Sequence, residues 1–245
     1  MRCTMEKQWY IGCSGFAYKE WKDAFYPPKL AQNKWFDYYT RHFNTLELNT
    51  TFYRFPTIKS LQGWYDKAPS QFTFSAKVPR SITHYKRFNE TNRMMQDFYG
   101  LLKEGLNEKL GCVLIQLPPQ FSFDLQKLEN ILSQIDPSCN NVIEFRNESW
   151  WRKDVQKILQ QHHTSFCGVS FPKIQFDDAV TNTEISYYRF HGVPHLFYSE
   201  YQPSFIEKII TRLKNSRNAK TIYLYFNNTA SMAAVKNARY ALEII

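Results

Sequence analysis

Eight short runs rich in β-branched and aromatic residues recur along the chain, and most are separated by a stretch with the apolar spacing of an amphipathic helix. The runs cover 9–13, 45–49, 72–77, 111–117, the start of 142–149, 165–170, 185–191 and 221–226. Helical spacing fills 33–43, 58–67, 93–106, 124–135, 152–162, 203–214 and 231–245, with Asp124 set as a cap and Pro203 as a first helical residue. Strands that alternate with helices pair in parallel through right-handed crossovers. Eight such units in 245 residues predict one α/β domain over 1–245, a closed (β/α)8 barrel of the TIM type. An open doubly wound sheet is the alternative, and the glycine fingerprint of its dinucleotide-binding form is absent. Two connections break the rhythm. The 171–184 stretch has no helical period and predicts an irregular crossover after the sixth strand. The 78–92 stretch reads as a long loop holding Arg80, His84, Lys86 and Arg87.

The runs share a second property: each ends on a polar group. Ser14, Glu47 and Asn49, Lys77, Gln116, Glu144 and Arg146, Ser170, Arg189 and His191, and Asn227 and Asn228 stand at successive strand ends. Residues two apart on a strand face the same side, so Glu47 with Asn49, Ser75 with Lys77, Glu144 with Arg146, and Arg189 with His191 point one way. In a barrel these ends converge on the C-terminal mouth, where active sites lie. Charges in an apolar interior must be paired, and mutual ion pairing of Glu144 with Arg146 or Arg189 is the inert explanation. Two carboxylates against Lys77, Arg146 and Arg189 favour an anion over a divalent metal, so neither metal nor cofactor is expected. In this reading Glu47, Glu144, His191 and Lys77 carry acid/base chemistry. Ser14, Asn49, Tyr53, Arg54, Gln116, Arg146, Trp150, Arg189, Asn227 and Asn228 hold the ligand. The rim adds further aromatics and cations, Phe16, Tyr18, Phe52, Arg80 and His84 among them, a mixture that also suits stacked bases and phosphates.

Composition narrows the partners. Lys and Arg exceed Asp and Glu by nine, which favours anionic partners in encounter. The five cysteines, Cys3, Cys13, Cys112, Cys139 and Cys167, are scattered without a CxxC pair. That pattern argues against a disulfide framework or a zinc site and for a reducing cytoplasm. No apolar run is long enough to span a bilayer, and no leader-like segment opens the chain, so no membrane partner is expected.

Ile11-Gly12-Cys13-Ser14-Gly15, the 43–49 segment with Thr51-Phe52-Tyr53-Arg54, Gln116-Leu117-Pro118-Pro119, Glu144-Phe145-Arg146 with Trp150, Arg189-Phe190-His191-Gly192 and Phe226-Asn227-Asn228-Thr229 together resemble the YecE-like family, domain of unknown function 72. The resemblance runs in order over nearly the whole chain and implies a TIM-type barrel. It brings no activity or cofactor. The expected function is therefore that of the mouth itself. The leading expectation is a metal-independent acid/base hydrolase or lyase acting on a small phosphate- or carboxylate-bearing ligand. A nuclease-like barrel binding nucleic acid through its basic aromatic rim, and a non-catalytic binding barrel, are the alternatives.

Overall fold

A computed structural model describes residues 6–245, so Cys3 lies outside the described residues. Nine strands form one sheet: β1 Gln8–Ser14, β2 Thr45–Leu48, β3 Thr73–Lys77, β4 Leu110–Gln116, β5 Asn140–Glu144, β6 Ser165–Phe166, β7 Gly168–Ser170, β8 Ile185–Phe190 and β9 Thr221–Phe226. Every neighbouring pair is parallel, in the order β6-β5-β4-β3-β2-β1-β9-β8-β7. The two ends of that order are adjacent in the chain, because only Cys167 separates β6 from β7. The expected sixth strand is thus present but interrupted, and the nine segments make a nearly closed eight-unit barrel. Its first part pairs with β5 and its second with β8. At the break the Cys167 N–H donates to the Ile143 carbonyl at 2.9 Å. Gly168 lets β8 close in: a Cβ there would stand 2.6 Å from the Tyr188 ring.

Around the sheet run α1 Trp35–Tyr39, α2 Thr50–Tyr53, α3 Ile58–Lys67, α4 Asn92–Leu106, α5 Leu125–Leu132, α6 Lys153–Gln161, α7 Pro203–Lys214 and α8 Ala233–Glu243. The Asp124 side chain accepts from the Lys127 N–H at 3.1 Å, as a cap should. In α4, Met95, Phe98, Tyr99, Leu102 and Leu106 are buried at three- and four-residue spacing. Each such side chain contributes roughly 1.5–3 kcal/mol by leaving water. Three connections differ from the sequence expectation. The 33–43 helix shortens to α1, preceded by a 3-10 turn over Gln32–Lys34. The link between the second strand and the 58–67 helix, for which the helical stretches above leave no helix, opens with the single turn α2. The 78–92 loop contains a π-helical turn, Ser81–Lys86. The 171–184 crossover has no helix or strand, as expected.

Residue parity sorts the core into two layers. On β4, Cys112 and Leu114 face the barrel interior while Val113 and Ile115 face the helices; on β9, Tyr223 and Tyr225 face in and Ile222, Leu224 and Phe226 face out. The interior is lined by tyrosines, with Tyr10 stacked on Tyr223 at 4.7 Å and Tyr187 against Tyr225 at 5.0 Å. Tyr225 also bonds the Thr45 and Ser75 hydroxyls at 2.5 and 2.9 Å. Gly12 admits Tyr39 between β1 and β2: a Cβ would lie 2.2 Å from the Thr45 carbonyl. The Tyr39 hydroxyl donates to that carbonyl at 3.0 Å and accepts from the Cys13 N–H at 2.7 Å. Carried one step further along each strand, the inward parity delivers Glu47, Lys77, Gln116, Glu144, Arg189 and Asn227 to the mouth. Among the described residues no helix is long and apolar enough to cross a membrane.

Candidate active site at the barrel mouth

Arg189, at 1% exposure, is the hub of the mouth. It projects from β8 above Tyr187, and its guanidinium spans the barrel to two strands. Nη1 donates to Glu144 Oε2 on β5, and Nη2 donates to Glu47 Oε1 on β2 at 2.6 Å. The Tyr187 hydroxyl donates to Glu47 Oε2 at 2.6 Å. Arg146, two residues past Glu144, turns back so that its Nε donates to Glu144 Oε1. Every oxygen of both carboxylates therefore accepts from a protein donor. His191 continues the inward face of β8. Its Nε2 lies 3.3 Å from Glu144 Oε1, and Asn227 Nδ2 lies 2.8 Å from its Nδ1. Phe171, from the irregular crossover, covers this group: the Arg146 guanidinium carbon is 4.1 Å from its ring centre, and its edge meets the His191 ring at 5.7 Å.

Lys77 forms the other arm. Its ammonium nitrogen donates to Gln116 Oε1 at 2.7 Å and stands 3.8 Å from the centre of the Phe52 ring. Gln116 Nε2 is 3.4 Å from His84 Nε2, whose Nδ1 is 2.8 Å from the Thr83 hydroxyl.

These surroundings fix the protonation states. Burial alone would raise the Glu144 carboxyl, but the charges of Arg146 and Arg189, with a hydrogen bond from His191, outweigh it and hold it well below the usual carboxylate range. Burial works against the Arg189 charge, yet Glu144 and Glu47 keep it firmly protonated. Burial and Arg146 push His191 well below its ordinary value, so its ring is neutral at pH 7. Burial, then Arg189 and Arg146, lower the Lys77 amine to about 7 in spite of Glu144 and Glu47. His84 is lowered to about 4 by burial and by Lys77.

The structure brings most of the residues singled out by sequence into this one mouth. Glu47, Lys77, Gln116, Glu144, Arg146, Arg189, His191 and Asn227 form the connected group just described. Ser14 is fully buried and its hydroxyl oxygen has no hydrogen-bond partner among the described residues; the Oδ1 atoms of Asn49 and Asn228 share that property. Asn228 otherwise ties rim segments together, donating to the Ser199 carbonyl and to Asn237 Oδ1, both at 2.9 Å. Tyr53 and Arg54 stand exposed on the rim at α2. Trp150 must be withdrawn from the ligand set. It is wholly buried behind the mouth, stacked on Phe145 at 4.6 Å, and its N–H is spent on the Phe121 carbonyl at 2.6 Å. Sequence reasoning missed Tyr187, although it stands two residues before Arg189 and parity alone would have placed it inward. It also missed Phe171, which no local pattern marks.

Among the described residues no group of three or more His, Cys, Asp and Glu side chains is placed to hold a metal. A cavity of about 590 Å³ lies outside the barrel between α6 and the crossover. Exposed side chains such as Lys153, Lys157 and Arg212 line it, and no member of the charged group does. A smaller cavity of about 250 Å³ abuts the mouth at Glu47 and Asn49.

A family model described as "Protein of unknown function DUF72" matches residues 10–245. UPF0759 protein YunF of Bacillus subtilis is 25% identical over 96% of this chain and 94% of its own length. UPF0759 protein YecE of Escherichia coli K12 is 26% identical over 51% of this chain and 49% of its own length. The crystal structure of a DUF72 family protein from Thermotoga maritima superposes with a TM-score of 0.86 at 27% identity, covering 97% of this chain and 98% of that one. A DUF72 family protein from Enterococcus faecalis gives 0.81 at 21% identity over 96% and 94%, a likeness of fold.

Proposed function

We propose, for a chain that belongs to the DUF72 family, that the barrel mouth is an acid/base site for a small phosphate- or carboxylate-bearing molecule, working without a metal. One observation carries the reading: a buried amine poised near neutrality stands near the buried guanidinium of Arg189 and the largely buried one of Arg146, at the C-terminal end of a barrel. The roles differ from those expected of the sequence. Glu144 stays ionised across the neutral range with both oxygens engaged, so it is a counter-charge that aims Arg146 and Arg189 and not the proton carrier. Glu47, gripped by Arg189 and Tyr187, supports the same frame. Lys77 is the group that exchanges a proton.

The charge balance supports an anion. With Lys77 protonated the mouth holds three cations against two carboxylates. An arriving anion favours the charged amine, so binding loads Lys77 with a proton that it then delivers to a leaving group or carbanion. Hydrolytic or lyase chemistry follows from that step. The commitment of all four carboxylate oxygens to protein donors supports independence from a metal.

A thermal-shift panel of phosphorylated sugars, simple carboxylates, nucleotides and short single-stranded oligonucleotides tests the proposal. A ligand at a hundred times its Kd adds about 2.7 kcal/mol, which raises Tm by roughly 5–10 °C in a domain of this size. A small anion should produce such a shift near pH 7, and Arg146→Ala should remove it. Oligonucleotides alone shifting the melt, and only at low salt, would transfer the reading to nucleic-acid binding. A flat response to every anion defeats the proposal.

A further inference from the structure

We infer that the rim beside Lys77 is a binding surface for single-stranded nucleic acid, on which Tyr53 and Tyr85 stack against bases and Arg80, between them, takes a backbone phosphate. The inference goes beyond the small-anion reading and does not depend on it, because a strand on the rim and a small anion in the mouth use different side chains. The Arg80 guanidinium carbon is 5.4 Å from the centre of the Tyr53 ring and 5.5 Å from that of Tyr85. The two ring centres therefore lie within about 11 Å of each other, a span that a few nucleotides cover at about 3.4 Å or more per step. Tyr53 is 66% exposed and Tyr85 68%, so both rings keep surface open to a ligand.

Strand order brings these residues together. The turn α2, with Tyr53, follows β2. Arg80 and the π-helical turn Ser81–Lys86, with Tyr85, follow β3, the strand paired with β2. Phe52 and His84 join the two segments edge to face at 5.0 Å. Phe52 also meets Tyr53 at 5.1 Å, and its ring centre is 3.8 Å from the Lys77 ammonium nitrogen. The surface is thus continuous with the Lys77 arm of the mouth. Past the π turn, Arg87 and Phe88 hold left-handed backbone at φ 49° and 64°. π turns and left-handed non-glycine residues cost energy and collect at functional sites.

Charge and ring faces select the partner. Segments 49–57 and 78–89 hold Arg54, Arg80, Lys86 and Arg87 and no Asp or Glu. Among the described residues none of these four cations forms an ion pair. A polyanion answers that charge. An acidic peptide would satisfy the cations and leave both rings idle. An anionic membrane needs a band of apolar side chains to sink into it, whereas the exposed large hydrophobic side chains of these segments are the two tyrosines. A duplex stacks its bases on one another and closes their faces. A single strand offers flat bases and phosphates together, which is what two exposed rings flanking a guanidinium can hold.

Anisotropy titration of the whole protein against a labelled thymidine decamer at about 50 mM salt, with an abasic decamer, a duplex of equal length and phosphatidylserine vesicles as competitors, tests this. The decamer should bind at least about tenfold tighter than the abasic strand or the duplex. Tyr53→Ala and Tyr85→Ala should each weaken it roughly 5–100-fold, the worth of one base stacked on an aromatic ring. Both rings are exposed, so the melt should hardly move and affinity alone should report the change. Arg80→Ala should weaken binding and reduce the salt slope by about 0.7, one phosphate on a single strand. Lys67→Ala removes an exposed charge where α3 ends, before β3 begins and so away from the mouth, and should change affinity less than about twofold. An abasic strand or a duplex that matches the decamer, vesicles held more tightly than the decamer, an affinity untouched by both tyrosine variants, or no binding at low salt overturns the inference. Small anions in the melt assay report on the mouth and the decamer on the rim, so either reading can fail alone.

Discussion

Replacing Glu144 by Gln removes one negative charge and almost no volume from the centre of the mouth. It strands Arg146, whose Nε donates to that carboxylate, and leaves Arg189 with Glu47 alone. Breaking a buried pair by deleting one partner costs about 3–5 kcal/mol, chiefly because a charge is left unpaired in a poor dielectric. At roughly 2–4 °C per kcal/mol for a chain of this size, Tm should fall by roughly 6–20 °C. Glu144 and Arg189 are fully buried and Arg146 largely so, and 1 M salt should therefore leave the loss almost unchanged. The loss should also depend on pH in one direction. The folded carboxyl lies well below its unfolded value, so its stabilisation is complete above about pH 4.3 and declines as pH falls below it. At pH 3.3 the gap between wild type and variant should be smaller than at pH 7.5 by about 1.4 kcal/mol. Urea titrations at the two pH values measure this. Adding Arg146→Met should restore about 1–3 kcal/mol by removing the stranded cation. A loss under about 1 kcal/mol at pH 7.5, or one that does not shrink in acid, would refute the argument that Glu144 is the ionised counter-charge of the mouth.

Competitive acetylation followed by mass spectrometry should give Lys77 a labelling midpoint at about 7, against about 10.4 for a free lysine side chain; a Lys77 midpoint above about 9.5 would contradict its burial beside Arg189. Because its folded value lies below its unfolded one, the cost of keeping Lys77 in the fold is absent above about pH 10.4 and complete below about pH 7. Lys77→Met should therefore gain in stability over wild type as pH is lowered through that window, as melts across it would record. Trp150→Phe removes the donor to the Phe121 carbonyl and should cost about 1–3 kcal/mol in urea unfolding; a neutral result would place that indole outside the packing.

Much of the mouth could be read from the chain because side-chain alternation is a local property. Glu47, Lys77, Glu144 and Arg189 each follow inward-facing residues two positions earlier, and that suffices to set them on one side of one end. The pairing of Glu144 with Arg146 or Arg189 was legible; that Arg189 also holds Glu47, on a strand far off in sequence, depends on strand order around the barrel and was not. Trp150 misled for a related reason: a tryptophan after a strand has the same sequence signature whether it faces a ligand or Phe145. The break at Cys167 was hidden because Ser165 to Ser170 is uniformly strand-like, and the interruption comes from pairing with two different neighbours. Phe171 lies in a crossover with no period to position it.

Arg189 also gives the barrel a means of checking its own assembly. Its partners lie 142 and 45 residues away in the chain, on strands that reach it only when the ring is nearly complete. A partial barrel lacking β8 holds two inward carboxylates with no Arg189 between them. A slip of β8 by a single residue would turn Arg189 into the apolar layer beneath the helices and bring Tyr188 or Phe190 inward instead. Both errors bury unmatched charge, so the group that shapes the mouth also acts as a register lock, and the strands, for all their similarity, have one arrangement in which the charges are satisfied.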